Sequence, residues 1–295
     1  MTESHVTTSQ PNHHNPLLRV EGLRVSYRTG KTYNPVVKGV SFELGQERLG
    51  IVGESGSGKS TIGRALLKLL PTAKIEAERM DFGGTDLLVA SERKMLSIRG
   101  LRISMILQDP KFSLNPVHKV GHQIAEAYRV HNKASAAVAR QKTLAMLEAV
   151  KIRDPERVFD LYPHEVSGGM GQRIMIAMML IPEPQIIIAD EPTSALDVTV
   201  RMQVLNILNE LVTDKGIGLI MISHDLNLVR NFCDRVLVMR HGEVMEERAA
   251  RDMHNCVHPY TKGLLAAQPH IGGSRGPLPV LNRDAMTRNL GGTRA

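Results

Sequence analysis

Apolar positions along this chain follow different rhythms in different stretches. In residues 17–27 (LLRVEGLRVSY) and 36–44 (VVKGVSFEL), apolar and polar residues alternate, which predicts half-buried strands. Residues 74–88 form another β-rich patch with Gly83-Gly84 as its hairpin signal, and 101–107 (LRISMIL) is a further strand. Continuous apolar runs at 49–52, 185–189 (QIIIA) and 218–223 (GLIMIS) are the pattern of strands buried on both faces of a parallel sheet. Helical spacing marks 62–70, 170–181, 197–213 and 225–232, and 235–246 predicts a hairpin turning at His241-Gly242. Strands alternating with helices predict an α/β fold, a mostly parallel sheet covered on both faces.

Between about 110 and 172 the texture changes to helix spacing with few strand formers, at 117–130, 135–150 and 155–161. This block is expected to be a helical insertion in the α/β fold. Residues 1–16 are polar and rich in His, Asn and Thr, and a disordered tail is the expectation. Beyond about Arg248 a short helical segment should end near Gln268, followed by a Gly/Pro/Arg-rich tail that is loosely ordered.

One loop links these patterns to chemistry. Gly53-Glu54-Ser55-Gly56-Ser57-Gly58-Lys59-Ser60-Thr61 follows an apolar strand and opens a helix, which is the context of a P-loop as well as its spacing. Glycines let backbone N–H groups turn inward around phosphate oxygens, and the helix start aims its unpaired N–H groups at the same anion. Lys59 would reach the β- and γ-phosphates and the Ser60 hydroxyl would ligate Mg²⁺, so a nucleoside triphosphate is the expected ligand.

Further candidates lie at strand ends. Asp190 closes a buried apolar run, where it would hold the hydration shell of Mg²⁺. Glu191, the next residue, could polarise an attacking water. His224 ends the following strand and could hold that water and Glu191 in register, although a lone strand-end histidine is often structural. Gln108, also at a strand end, could contact Mg²⁺ or the water; spacing alone leaves its role open. Methionines 170, 175, 178 and 179 in a uniformly apolar helix are core packing rather than metal ligands.

Composition changes this picture little. The chain has 295 residues, 42% hydrophobic and 23% charged, without tryptophan, and its longest notable apolar run, 175–181, falls far short of the roughly 20 residues of a membrane span. No signal-peptide pattern is present, so a cytosolic location is expected, with docking on a membrane protein allowed. The net charge of +7 comes from dispersed basic residues not interleaved with aromatics, so no nucleic-acid partner is expected. Cys233 and Cys256 are too far apart for a paired-cysteine motif. His5, His13 and His14 lie in the tail and form no ordered metal site.

The set GESGSGKST (53–61), ILQDP (106–110), VSGGMGQR (166–173), IIIADEP (186–192), SALD (194–197) and SHD (223–225) resembles the nucleotide-binding subunits of ATP-binding cassette (ABC) transporters, in that family's order, over about residues 17–247. The resemblance implies a P-loop NTPase core with an N-terminal antiparallel β-subdomain, an inserted α-helical subdomain and a C-terminal extension at 248–295. It implies that Tyr27, which the strand pattern alone reads as packing, stacks on adenine, and that Gln108 couples the site to the membrane subunits. Ser167, Gly168 and Gly169 would present a helix start to the γ-phosphate held by a second subunit.

SLNP (113–116), the methionine after the Ser-Gly-Gly signature and HPYTKGLL (258–265) further resemble the oligopeptide/dipeptide/nickel importer branch. Gly171 departs from it, standing where this type commonly carries Arg. With only Cys256 in the C-terminal region, the iron–sulfur cluster of some relatives is not expected. The implied assembly is two such ATPase subunits, the second a paralogue in head-to-tail arrangement, beneath two transmembrane permeases on the cytoplasmic side of the cell membrane. An external solute-binding protein would deliver peptide or another small solute. A soluble cassette ATPase of DNA repair or translation is the alternative.

Overall fold

The computed structural model describes residues 16–108, 113–194 and 196–267. The predicted tails at 1–16 and 269–295 fall, apart from Pro16, outside the described residues, as do Asp109, Pro110 and Ala195. Strands β1 (Leu18–Thr29) and β2 (Thr32–Leu44) come first, then β3 (Arg48–Gly53) and helix α1 (Lys59–Leu66). The β-rich patch resolves into β4 (Ala73–Glu76), β5 (Arg79–Phe82) and β6 (Thr85–Asp86), followed by a short helix the periodicity did not mark, α2 (Glu92–Leu96). Its start is capped by Ser91, whose hydroxyl accepts from Lys94 N.

After β7 (Ile103–Ile106) the helical block supplies α3 (Val120–His131), α4 (Ala136–Ala149) and α5 (Pro155–Phe159). The chain returns through α6 (Gly168–Leu180), β8 (Ile186–Asp190), α7 (Val198–Asp214), β9 (Gly218–Ser223), α8 (Leu226–Phe232) and the hairpin β10 (Arg235–Arg240) and β11 (Glu243–Ala249). A 3-10 segment (Ala250–Asn255) and α9 (Pro259–Ala266) close the described chain, so the single helical segment expected there is two pieces. The helix after the P-loop is shorter than its apolar pattern: Leu67 caps it and Lys68 takes positive φ.

Two sheets result. The smaller is antiparallel, with order β2-β1-β5-β6 and β4 also paired to β1. The larger has order β11-β10-β3-β9-β8-β7, parallel from β10 to β7 with β11 antiparallel at one edge. Alternation sends its side chains into two cores. Ile51, Ile188, Ile220, Ile222 and Leu237 face the small sheet and α1. Val52, Ile187, Ala189, Met221 and Val236 face the helical side, where Ile124, Leu147, Ile174 and Leu208 pack. With both faces buried, the polar groups of the central strands can reach solvent only at the strand ends. There the register is tight: Val52 pairs with Ser223 and Asp190 with Ile222, so Gly53, Glu191 and His224 leave the sheet almost level with one another.

The C-terminal extension is tied down by one buried carboxylate. Glu246 on β11 accepts from Arg248 Nε at 2.6 Å, Val257 N at 2.8 Å and His258 N at 3.1 Å. Burial alone would raise its pKa, but these donors outweigh burial and hold it at about 2. A carboxylate depressed in the folded state stabilises the fold fully above its unfolded pKa of about 4.3 and loses that contribution as pH falls toward the folded value. Glu246→Gln is therefore expected to cost about 1–3 kcal/mol at pH 7. The difference in thermal midpoint between the two proteins should shrink as pH is lowered below 4.5; a constant difference would contradict the assignment.

Candidate active site

At the end of β3 the chain enters the P-loop, and Gly58, at φ +95°, turns it into α1. A Cβ on Gly58 would lie 2.8 Å from the backbone oxygen of Val36, so both conformation and space require glycine. Lys59 is 5% exposed, and its ammonium donates to Gly53 O at 2.8 Å, Glu54 O at 2.9 Å and Ser57 Oγ at 3.4 Å. The loop thus gathers carbonyl oxygens on Lys59 while Ser57 N donates to Glu54 O. Burial lowers the Lys59 pKa, opposed by the carboxylates of Glu191, Asp190 and Glu54. A phosphate beside that ammonium would favour its charged form.

Ser60, the second residue of α1, donates its hydroxyl to Asp190 Oδ1 at 2.6 Å. The other Asp190 oxygen lies 3.7 Å from Arg64 Nη2. Asp190 is 3% exposed, and burial raises its pKa against the pull of Ser60 and Arg64. Arg64 was not among the expected site residues. Its signal was its place four residues after Ser60, on the same helix face.

Glu191 adopts positive φ (+48°), a costly conformation for a non-glycine residue, and its N–H donates to Ile222 O at 3.0 Å. The turn carries its carboxylate toward the end of β9, where both oxygens lie 3.0 Å from His224 Nδ1. Glu191 is mostly covered, whereas the His224 ring is largely exposed.

Lys59, Ser60, Glu191 and His224 line one open cavity of about 350 Å³, whose wall does not include Asp190 or Arg64. Ser55, Gly56, Gly58, Thr61 and Gln108 line it with them. Val36, which no sequence pattern singled out, completes the wall. Gly53, Glu54 and Ser57 shape the loop from behind. Tyr27 does not line the cavity; it is half-buried on β1, opposite Asn34 and Ala73, and packs against the core under the small sheet.

Ser167, Gly168 and Gly169 are also absent from that cavity wall. Ser167 caps α6, its hydroxyl accepting from Met170 N at 3.4 Å, and Ser167 and Gly168 are exposed. Gly169 lies against α7, where an added Cβ would come within 2.6 Å of Val200 Cγ1. Gly171 is buried within α6, so its position faces the interior of the fold. The donor set suits a triphosphate with a divalent cation: a buried ammonium, a loop that an added Cβ would close, and a hydroxyl paired with a buried carboxylate.

A family profile described as ABC transporter matches residues 37–194, more than half of the chain. This chain belongs to the ABC transporter ATPases. Salmonella typhimurium has an oligopeptide transport ATP-binding protein, OppD, that is 45% identical over 273 residues, covering 92% of this chain and 82% of that protein. The Bacillus subtilis dipeptide transport ATP-binding protein DppD is 46% identical over 259 residues, covering 86% of this chain and 77% of DppD. Among solved structures, a dimeric ATP-binding cassette in a post-hydrolysis state, bound to ADP and Pi, superposes with a TM-score of 0.71 at 26% identity, covering 79% of this chain and 99% of the other. The cbiO1 subunit from Clostridium perfringens gives the same score and identity over 82% of this chain and 92% of that one.

As an ABC ATPase this chain binds ATP and couples its hydrolysis to transport. The relatives lend nothing to the DNA-repair or translation alternative. Such ATPases work with membrane permeases and as dimers. Among the described residues no helix is long and apolar enough to cross a membrane.

Gly58→Ala should cost about 1–3 kcal/mol through backbone strain and contact with Val36 O. It should also weaken MgATP binding by about tenfold or more. Calorimetric titration and thermal unfolding of the purified variant check both.

Proposed function

We propose that this ABC ATPase drives uptake of peptides or a related small solute, with Glu191 as the general base of ATP hydrolysis. The observation that carries the catalytic reading is the Glu191 carboxylate, held by His224 in the cavity that Lys59 and Ser60 also line. Lys59 and the N–H groups at the start of α1 bind the β- and γ-phosphates. Tyr27 offers its ring to adenine. Ser60 and Asp190, with Gln108 nearby, would hold Mg²⁺, which supplies charge neutralisation on the phosphate oxygens when bound.

A Glu191 oxygen accepts the proton of the water that attacks the γ-phosphorus, while His224 keeps the carboxylate turned toward that water. Lys59 stabilises charge that grows on the phosphoryl oxygens. The Ser167–Gly169 helix start is exposed and lies apart from the chain's own cavity. This favours its use on the nucleotide of a second, paralogous subunit, in a head-to-tail pair on the cytoplasmic side of the membrane. Hydrolysis removes the phosphate that bridges the pair, and the α3–α5 block passes the motion to the two permeases. The solute assignment is supported by the oligopeptide and dipeptide transport relatives, and a solute-binding protein would deliver it.

Glu191→Gln should leave MgATP binding intact and lower turnover by about 10²- to 10⁴-fold. Steady-state ATPase and peptide uptake in vesicles carrying the assembled complex test this. Undiminished turnover would remove Glu191 from its role, and peptide-independent ATPase without peptide uptake would refute the solute.

A further inference from the structure

A single peptide group in the P-loop is held at both ends. Its carbonyl, Gly53 O, accepts from Lys59 Nζ at 2.8 Å, and its N–H, that of Glu54, donates to the Tyr260 hydroxyl at 3.3 Å. Tyr260 sits on α9, 206 residues from Glu54 and well beyond the matched family region. It is 1% exposed, with the Arg240 guanidinium 5.1 Å from its ring centre. A second tie runs parallel: Gly242 N, in the β10–β11 turn, donates to Ser57 O at 3.1 Å, and Gly242 O accepts from Lys38 N at 2.8 Å.

We infer that Tyr260 is a positioning residue for Lys59, and that β11 and α9 form the back wall of the nucleotide site. A peptide unit is planar, so its N–H and C=O move together. While the Tyr260 hydroxyl holds the Glu54 N–H, the Gly53 carbonyl cannot rotate away from the Lys59 ammonium. The tyrosine is itself placed by the Glu246 carboxylate, which binds the backbone at Val257 and His258, and by His258 Nδ1, which accepts from Tyr260 N at 3.2 Å. The C-terminal extension is therefore part of the machinery that sets where the ammonium waits for the β- and γ-phosphates. This inference rests on the reading of residues 53–61 as the nucleotide site.

Tyr260→Phe keeps the ring and removes only the hydroxyl. In the full-length protein it should raise the MgATP dissociation constant by about threefold to tenfold, the worth of one hydrogen bond. The thermal midpoint should fall by at most a few degrees, and amide exchange should quicken in the peptide covering residues 49–58 but not elsewhere. Lys262→Ala, an exposed change on the same helix, should move none of these readouts. Unchanged MgATP affinity in Tyr260→Phe overturns the inference. So does a loss of affinity accompanied by faster exchange throughout the chain, which marks a purely structural role. If Lys59→Ala retained full MgATP affinity, the nucleotide-site reading itself would fail; loss there with no change in Tyr260→Phe would remove only the role of Tyr260.

Discussion

A buried ammonium has to find oxygen atoms, and among the described residues Lys59 binds those of the loop that carries it, Gly53 O, Glu54 O and Ser57 Oγ. By drawing the carbonyls of Gly53 and Glu54 onto itself, the lysine fixes the loop's curvature. Burial lowers its pKa, so its charge is held by neighbouring carboxylates and carbonyls rather than by bulk water. An anion arriving in the cavity meets a cation whose solvation shell is already protein. That preorganisation gives a short loop its affinity for phosphate.

The main sheet supplies the other half of the arrangement. Because apolar cores cover both of its faces, chemistry is confined to the carboxyl ends of β3, β8 and β9, with Gln108 just past the end of β7. Register then decides which residues meet. Asp190 stops level with Ile222 and bonds Ser60, while Glu191 takes a left-handed turn and reaches His224 on the neighbouring strand. A one-residue slip in β8 would send Asp190 to the opposite face and away from Ser60. The same strand ends meet the hairpin and α9 from behind, so the loop is clamped between the sheet and the C-terminal extension.

Much of this was legible in advance. Alternation marked β1, β2 and the β4–β6 patch, and continuous apolar runs marked β8 and β9, because burial on one face or two writes a period directly into the residues. Helical spacing marked α6 and α7, and the structure shows Ser167 and Asp197 capping their starts with their side chains. The P-loop and the strand-end acids were readable because their chemistry needs particular residue types at short spacing. α2 was missed because five residues carry too little periodicity, and its cap had no apolar stripe behind it. The P-loop helix was drawn too long because Leu67, Leu69 and Leu70 extend the apolar pattern past the turn that ends the helix.

By itself the sequence determined the glycine-rich loop between β3 and α1, the pair of acids at the end of β8 and the alternation of strands with helices, since these depend on neighbours within a few positions. Tertiary structure alone decided that Val36 O closes against Gly58, that Arg64 shares Asp190 with Ser60, and that the Tyr260 hydroxyl holds Glu54 N. Those contacts join residues far apart in the chain; spacing puts Arg64 on the helix face of Ser60, but no local period brings either to Asp190. They follow from strand order and register, which arise only when the two cores close on the sheet.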